Sequence, residues 1–335
     1  MNDLEELKEL LSVPRKIIIT THQRPDGDAM GSSLALYLYL QQKGHAATVI
    51  SPTDYPDFLS WIPGNDTVVI YEKEPLRSKA LVAEAELIFC LDFNKLYRLE
   101  ELGKLIAQST ATKVLIDHHL EPDDFAEFQM SRVSACSTAE LVYDFIIQSG
   151  DRELISQDIA TCIYTGILTD TDRFRIPTTT PAVHRIAAEL LELGINHTQI
   201  YEAVYETFTE NRLRFFGYCI REKLEIIKEL KTGIICLETA DLKKFHIQSG
   251  DTEGVVNYPL WIKGIRLSAF IIQRPDEVKL SFRSKGTFDV NELAHLNFSG
   301  GGHKNAAGGR SPLSVAETRE KLIAILAPLK NQLNK

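Results

Sequence analysis

Strand-like and helix-like segments alternate along the first half of the chain, and this alternation limits the folds that it can adopt. The strand-like segments are short and rich in β-branched residues, whereas the segments between and after them carry apolar residues at helical spacing. Such a pattern predicts a mainly parallel sheet with helices on both faces, an α/β fold. The predicted strands are 16–20, 47–51, 67–71, 86–92 and 113–117, and the predicted helices are 32–44, 137–150, 155–170 and 180–194.

The pattern changes after Gly233, where three β-rich segments are followed by a helix at 288–297 and a glycine-rich run. A chain of 335 residues is long enough for two cores. The predicted organisation is a catalytic domain at 1–195, a helical connector at 196–230 and a smaller α/β domain at 231–335, across a cleft from the first.

Charge and composition exclude several classes of protein. The net charge of −9 argues against a long nucleic acid as partner, although Trp261–Arg310 has eight Lys or Arg against four Asp or Glu. No apolar run approaches the length of a membrane span, and the acidic start does not resemble a signal peptide, so we expect a cytoplasmic protein without a membrane partner. Five scattered cysteines indicate neither a disulfide framework nor a zinc site.

Several metal-ligating side chains fall where predicted strands end, and in a parallel sheet ligands bind beyond those ends. Carboxylates and imidazoles without a thiolate suit Mn²⁺ or a similar divalent ion. Each residue has a simpler explanation when taken alone, such as a polar turn or a helix cap. The candidate ligands are His22, Asp26 and Asp28 on one tight loop, with Asp92, His118 and Asp170.

Two of these segments are more specific than the rest. Asp117, His118 and His119 follow an apolar strand, and adjacent histidines point in different directions, so one can bind a metal while the other faces a substrate. Asp170 ends an apolar helix, where the helix dipole disfavours a carboxylate unless a cation is near; Asp172 is the alternative ligand.

The second domain offers candidates for binding an anion. Arg283 can clamp a phosphate with two hydrogen bonds, or it can be an exposed residue at a strand edge. Glycines let backbone N–H groups approach an anion, and the segment after them could begin a helix whose N-terminus faces it; the alternative is a flexible turn. The run lacks the ending of a P-loop. These residues are Gly300, Gly301, Gly302 and His303.

Taken together, these motifs resemble those of the DHH phosphoesterase family, which is named for a triplet that stands here at 117–119. THQRPDGDAMGSS, the strand that ends at Asp92 and LTDTDRF resemble its other motifs, and FSGGGHKNAAGG resembles the motif of its C-terminal DHHA1 domain. The resemblance covers essentially the whole chain. It is greatest to the bacterial nano-RNases that are also phosphatases of 3′-phosphoadenosine 5′-phosphate (pAp).

The resemblance implies a role for each residue. His22 and Asp26 would hold one Mn²⁺ ion, Asp28, His118 and Asp170 a second, and Asp92 would bridge the two; Mg²⁺ or Co²⁺ are alternatives. His119 would lie beside the scissile phosphate and, with Asp92, count as catalytic. Arg283 and the Gly300–His303 segment would hold a terminal phosphate or the neighbouring nucleotide.

The expected activity is two-metal hydrolysis of phosphate esters, with very short RNA and pAp as substrates. The alternatives are a phosphodiesterase for cyclic or linear dinucleotides, a pyrophosphatase or exopolyphosphatase, and an inactive nucleotide-binding protein. The direction of digestion, the preferred substrate and the oligomeric state stay open.

Overall fold

The computed structural model describes residues 4–248 and 250–333, which divide into two compact units, Met1–Thr207 and Phe208–Lys335. Each unit is built around its own six-stranded sheet. Within the described ranges, no helix is long and apolar enough to cross a membrane.

The first unit contains a parallel sheet in the order β3-β2-β1-β4-β5-β6. The strand pairs that include β1, β4 and β5 are all parallel, as the alternation of strands and helices predicts. The strands are β1 (Lys16–Thr20), β2 (Ala46–Ser51), β3 (Val69–Ile70), β4 (Leu87–Leu91), β5 (Thr112–Asp117) and β6 (Phe128–Ser131); β6 was not predicted.

The helices of this unit are α1 (Leu4–Leu10), α2 (Gly27–Gln42), α3 (Pro75–Glu84), α4 (Glu101–Gln108), α5 (Thr138–Ser149), α6 (Gln157–Asp170), α7 (Pro181–Glu192) and α8 (His197–Tyr205). Alternate residues of β1 face opposite sides of the sheet. Ile17 and Ile19 belong to the core formed with α2, α5 and α6, whereas Ile18 belongs to the core under α3 and α4. Helices therefore cover both faces, and the predicted fold class is confirmed.

Helices α2 and α6 pack closely because glycines face each other between them. A Cβ atom at Gly31 would lie 2.6 Å from the backbone oxygen of Cys162, and one at Gly166 would lie 2.8 Å from a carboxylate oxygen of Asp28. This close approach brings the start of α2 and the end of α6, which carry Asp28 and Asp170, to the same edge of the unit.

The second unit contains a mixed sheet in the order β11-β12-β10-β9-β8-β7, in which only β8 and β9 are parallel. Helices α11 and α12 pack on one face of this sheet, and α9 with the 3₁₀ segment Val255–Trp261 packs on the other. Its elements are α9 (Glu210–Tyr218), β7 (Leu224–Ile227), β8 (Thr232–Leu237), α10 (Thr239–Lys244), β9 (Leu267–Gln273), β10 (Val278–Ser284), α11 (Val290–Asn297), β11 (Gly301–His303), β12 (Ala306–Ser311), α12 (Val315–Leu326) and α13 (Lys330–Leu333).

Two segments differ from the sequence-based expectation. The range 196–230 contains α8 and α9, but it also contains β7, which pairs with β8 as an edge strand. The glycine-rich run does not begin a helix. It forms the β11–β12 hairpin, because β12 pairs along its whole length with β10 and draws the glycines into the sheet.

Candidate metal centre

Asp26 and Asp28 play different structural parts at the start of α2. Asp26 is the N-cap, and its Oδ1 accepts hydrogen bonds from the backbone N–H groups of Asp28 at 3.0 Å and Ala29 at 3.1 Å. Asp28 lies in the first helical turn and is buried, so it does not belong to the loop on which it was predicted. The helix begins at Gly27 rather than at the predicted residue 32. The prediction began too late because the first turns are buried on all sides and show no amphipathic pattern.

The carboxylate of Asp28 is held by the N-terminus of another helix. Its Oδ2 accepts a hydrogen bond from the backbone N–H of Thr138 at 2.7 Å, and its Oδ1 accepts one from that of Ala139 at 2.9 Å. These are the first two residues of α5, where backbone N–H groups lack partners within the helix and the helix dipole favours an anion. Asp28 is thus fixed in position by the protein itself.

Asp92 lies directly after β4 in a left-handed backbone conformation, with a φ angle of 63°. Such a conformation is strained for a residue other than glycine and is often found at functional sites. Its Oδ1 accepts a hydrogen bond from Thr138 Oγ1 at 2.9 Å, and its Oδ2 lies 3.4 Å from His22 Nε2. Sequence reasoning missed Thr138, although its place at the start of a predicted helix was a usable signal.

The two histidines after β5 face different partners. His118 Nε2 lies 3.5 Å from Asp170 Oδ2, 3.6 Å from Asp92 Oδ1 and 3.9 Å from Asp28 Oδ2. His119 Nδ1 lies 2.7 Å from Asp117 Oδ1, and Asp117 is completely buried. The Asp117 carboxylate therefore orients the His119 ring, a part that sequence reasoning had not given to this residue.

In both His22 and His118, Nδ1 faces a backbone carbonyl oxygen, which leaves Nε2 available as a metal ligand. Nδ1 of His22 lies 2.8 Å from the carbonyl oxygen of Gln23, and Nδ1 of His118 lies 3.4 Å from that of Ala135. A carbonyl oxygen only accepts hydrogen bonds, so the proton of each neutral ring belongs on Nδ1. In this neutral form the Nε2 lone pair of each ring is available to a metal ion, whereas in the protonated form the Nε2–H of His22 can donate to Asp92.

Asp170, at the end of α6, belongs to the cluster, whereas Asp172 does not. Asp172 binds the guanidinium groups of Arg173 and Arg175. Residues 172–174 also form a left-handed turn, with φ angles between 47° and 64°. This turn directs Asp172 to the arginines, and the geometry favours Asp170 as the ligand.

The pKa values show that burial and mutual repulsion disfavour the charged forms of two carboxyl groups here, Asp28 and Asp170. Burial raises the pKa of Asp28 well above its usual range, and the charges of Asp92 and Asp170 raise it further. Burial also raises the pKa of Asp170 to about 7, although His118 opposes the shift. For Asp92, burial acts to raise the pKa, but the hydrogen bond with His22 and the neighbouring histidines outweigh it and lower the pKa. Buried carboxylates that repel one another fit a site that binds cations.

Three overlapping groups of side chains have ligand atoms within 4.8 Å of one another. Asp92 belongs to two of the groups and so does His118, which makes the cluster a single continuous set of oxygen and nitrogen donors. This donor set, without a thiolate, fits two neighbouring divalent ions of the Mn²⁺ or Mg²⁺ type. The groups are His22, Asp26 and Asp92; Asp28, His118 and Asp170; and Asp92, His118 and His119.

The residues predicted to bind substrate lie in the second unit. Arg283 of β10 is opposite Ala306 of β12, and Ala306 is opposite His303 of β11, so Arg283 and His303 are in one cross-strand row. Residues directly opposite one another point to the same face of a sheet. A Cβ atom at Gly300 would lie 2.0 Å from the backbone oxygen of Gly308, so a close backbone approach explains this glycine.

The chain is similar to known proteins along its length. Residues 16–167 match the DHH family, N-terminal domain, and residues 234–335 match the DHHA1 domain. The bifunctional oligoribonuclease and PAP phosphatase NrnA of Thermus thermophilus is 31% identical over 299 residues, which cover 89% of this chain and 85% of that protein. The protein of the same name from Bacillus subtilis is 27% identical over 307 residues, covering 90% and 91%.

A solved structure shows the same architecture. The crystal structure of an exopolyphosphatase-related protein from Bacteroides fragilis is 38% identical, has a TM-score of 0.97, and covers 100% of this chain and 98% of that chain. The predicted resemblance is confirmed: the chain belongs to the DHH family of phosphoesterases, with a DHHA1 domain after its DHH domain.

Proposed function

We propose that this protein hydrolyses very short RNA oligonucleotides to mononucleotides and removes the 3′-phosphate of pAp. The observation that carries the proposal is the position of Asp92, whose carboxylate is shared by two groups of candidate ligands. The similarity to two proteins named as both oligoribonuclease and PAP phosphatase supports the choice of substrates.

The proposed ligands divide into two sets around Asp92. His22 and Asp26 would hold one divalent ion, Asp28, His118 and Asp170 would hold the other, and Asp92 would be a ligand shared by both. Two Mn²⁺ ions are the proposed pair, since imidazole nitrogens suit manganese better than magnesium. When bound, such a pair activates water and neutralises charge on phosphoryl oxygens.

The chain's own residues orient the reaction. Water attacks phosphorus, the bond from phosphorus to the leaving ribose oxygen breaks, and that oxygen takes up a proton. We assign His119 to the side of the scissile phosphate, where the Asp117 carboxylate holds its ring in position. Thr138 keeps the Asp92 carboxylate in place through its hydroxyl group.

The charge distribution supports a short substrate. The segment Trp261–Arg310 carries a local net charge of +4 within a chain of net charge −9, so the rest of the chain repels a long phosphate backbone. Hydrolysis is therefore expected to be fastest on RNA of about two to five nucleotides and to fall sharply on longer strands.

The test is a substrate panel with Mn²⁺ present. We expect turnover of RNA dinucleotides and of pAp, with kcat/KM decreasing as the RNA is lengthened beyond a pentanucleotide. Cyclic di-AMP, inorganic pyrophosphate and polyphosphate complete the panel, and the Asp92→Asn variant controls for a contaminating nuclease. Equal kcat/KM on a long RNA, or turnover confined to the other three compounds, would contradict the proposal.

A second candidate function is the release of orthophosphate from inorganic polyphosphate. The similarity to an exopolyphosphatase-related protein over the whole chain favours it. Faster release of phosphate from polyphosphate than from pAp in the same panel would select this alternative.

A further inference from the structure

One face of the second sheet carries a row of residues that includes both predicted phosphate-binding side chains. Gly233 is opposite Ser268, Ser268 is opposite Arg283, Arg283 is opposite Ala306, and Ala306 is opposite His303. All five residues therefore point to the same face, and small side chains separate Arg283 from Gly233 and His303.

The 3₁₀ segment Val255–Trp261 lies on this face. A Cβ atom at Gly233 would be 2.4 Å from Cβ of Pro259, so the segment packs directly on the row. Near the end of the segment, the ammonium group of Lys285 donates a hydrogen bond to the carbonyl oxygen of Leu260. Trp261, the next residue, is thereby placed beside the end of β10 that carries Arg283.

The side chain of Trp261 is supported on one side and open on the other. Its ring centroid lies 4.8 Å from that of Tyr258, and the Tyr258 ring packs edge-on against Phe216 at 5.6 Å. Trp261 nevertheless remains 67% exposed. A large aromatic ring on a rigid support, with its open side facing solvent, is suited to stacking against another ring.

Positive charge is concentrated at this end of the sheet. The backbone N–H of Arg266 donates to the carbonyl oxygen of Lys231, and that of Lys285 donates to the carbonyl oxygen of Arg266, so three cationic residues are neighbours at the strand ends. Lys263 is two residues from Trp261. Asp276 and Glu277 lie in the turn between β9 and β10, at the opposite end of those strands.

An exposed aromatic ring among cations has the chemistry that binds single-stranded nucleic acid, where bases stack on the ring and phosphates pair with the cations. We propose that Trp261 is a stacking platform for one nucleobase of the short RNA substrate, and that Lys263 and Lys285 attract the adjoining phosphate. This inference rests on the proposed function, because it assigns a binding subsite to the same substrate.

The test compares Trp261→Ala and Trp261→Phe with a matched control. Leu296→Ala removes a side chain of similar exposure, 69%, from α11, which packs on the other face of the sheet. For an RNA dinucleotide, we expect KM to rise roughly 5- to 150-fold in Trp261→Ala. The rise is expected to be small in Trp261→Phe and absent in Leu296→Ala, with kcat nearly unchanged throughout.

Two singly abasic dinucleotides sharpen this comparison. With the abasic site at the stacked position, wild type and Trp261→Ala should have equal KM values; with the abasic site at the other position, the difference between them should persist. Equal KM values for wild type and Trp261→Ala on the intact dinucleotide would overturn the inference. So would the loss in Trp261→Ala of self-association present in the wild type, without a change in KM, which would mark a contact between copies of the chain.

A binding measurement separates failure of this inference from failure of the proposed function. The chain has two tryptophans, and Trp61→Phe leaves Trp261 as the only indole; Trp61 Nε1 has no hydrogen-bond partner that the change could break. Quenching of Trp261 fluorescence by a dinucleotide in EDTA would support the subsite even if no RNA is hydrolysed. Absence of quenching, while the wild type hydrolyses RNA with Mn²⁺, would refute the subsite alone.

Discussion

Asp26 combines a structural and a chemical part in one carboxylate, and a pair of substitutions can separate them. Its Oδ1 accepts hydrogen bonds from two backbone N–H groups at the start of α2, while the side chain also belongs to the candidate metal group with His22 and Asp92. Asparagine keeps an oxygen for the helix cap but lacks the negative charge. Alanine removes both.

The expected magnitudes follow from helix capping. Asparagine is about as good an N-cap as aspartate, whereas alanine at such a position costs about 0.5–2 kcal/mol. In EDTA, Asp26→Ala should therefore unfold at a temperature about 2–4 °C lower per kcal/mol lost, as is usual for units of this size. Asp26→Asn should unfold within about 1 °C of the wild type under the same conditions.

The two variants are expected to behave alike when metal is added. Both lose a charged ligand, so both should bind Mn²⁺ more weakly and hydrolyse pAp more slowly than the wild type. Thermal unfolding in EDTA and calorimetric titration with Mn²⁺ measure the two effects. If Asp26→Asn is as unstable as Asp26→Ala in EDTA, the capping argument is wrong; if Asp26→Asn binds Mn²⁺ like the wild type, Asp26 is not a ligand.

Four further predictions test the centre and the second sheet. Asp92→Ala should lose at least one bound ion and more activity than Asp26→Ala, and metal analysis showing two retained ions at a near-normal rate would refute the shared ligand. Thr138→Val should reduce metal affinity or activity about 10- to 100-fold, since it removes the hydroxyl that holds Asp92 but keeps the backbone N–H bound to Asp28. Unchanged Mn²⁺ affinity and unchanged turnover would show that the hydroxyl is dispensable. Arg283→Ala should raise KM for pAp and dinucleotides roughly 10- to 100-fold with the metal content unchanged, and an unaltered KM would leave it as a structural residue. The pKa of Asp170 is raised to about 7 without metal, so protons should compete with Mn²⁺ as the pH falls below that value, and the affinity for Mn²⁺ should drop by up to about tenfold per pH unit. The affinity should depend less steeply on pH in Asp170→Asn. An equally steep dependence would show that the Asp170 carboxyl group does not cause it.

The clustering of several candidate ligands could be predicted from sequence because simple geometry determines it. His22, Asp92 and His118 follow apolar strands that lie side by side, and parallel strands end at the same edge of a sheet. No knowledge of side-chain packing was needed for that step. The same reasoning did not identify the contacts of Thr138, since its place at the start of a predicted helix does not show that Asp28 and Asp92, which are distant in sequence, are its partners.

Elements that depend on tertiary contacts were less predictable. The first turns of α2 are buried on every side, so the apolar spacing that marks a surface helix is absent there. The glycine-rich run has little strand propensity of its own and becomes a hairpin only because β10 offers it a partner. Nothing in the sequence indicated that Trp261 is exposed, because its exposure depends on how the 3₁₀ segment packs across the sheet.

The hydrogen bonds from α5 to Asp28 have a consequence for a cell in which divalent metal ions are scarce. Two backbone N–H groups hold this carboxylate whether or not an ion is present, so an empty centre does not need to collapse or reassemble. We expect demetallated protein to remain folded and to regain activity as soon as the metal returns. Such an enzyme can be kept in reserve during metal starvation and need not be synthesised anew.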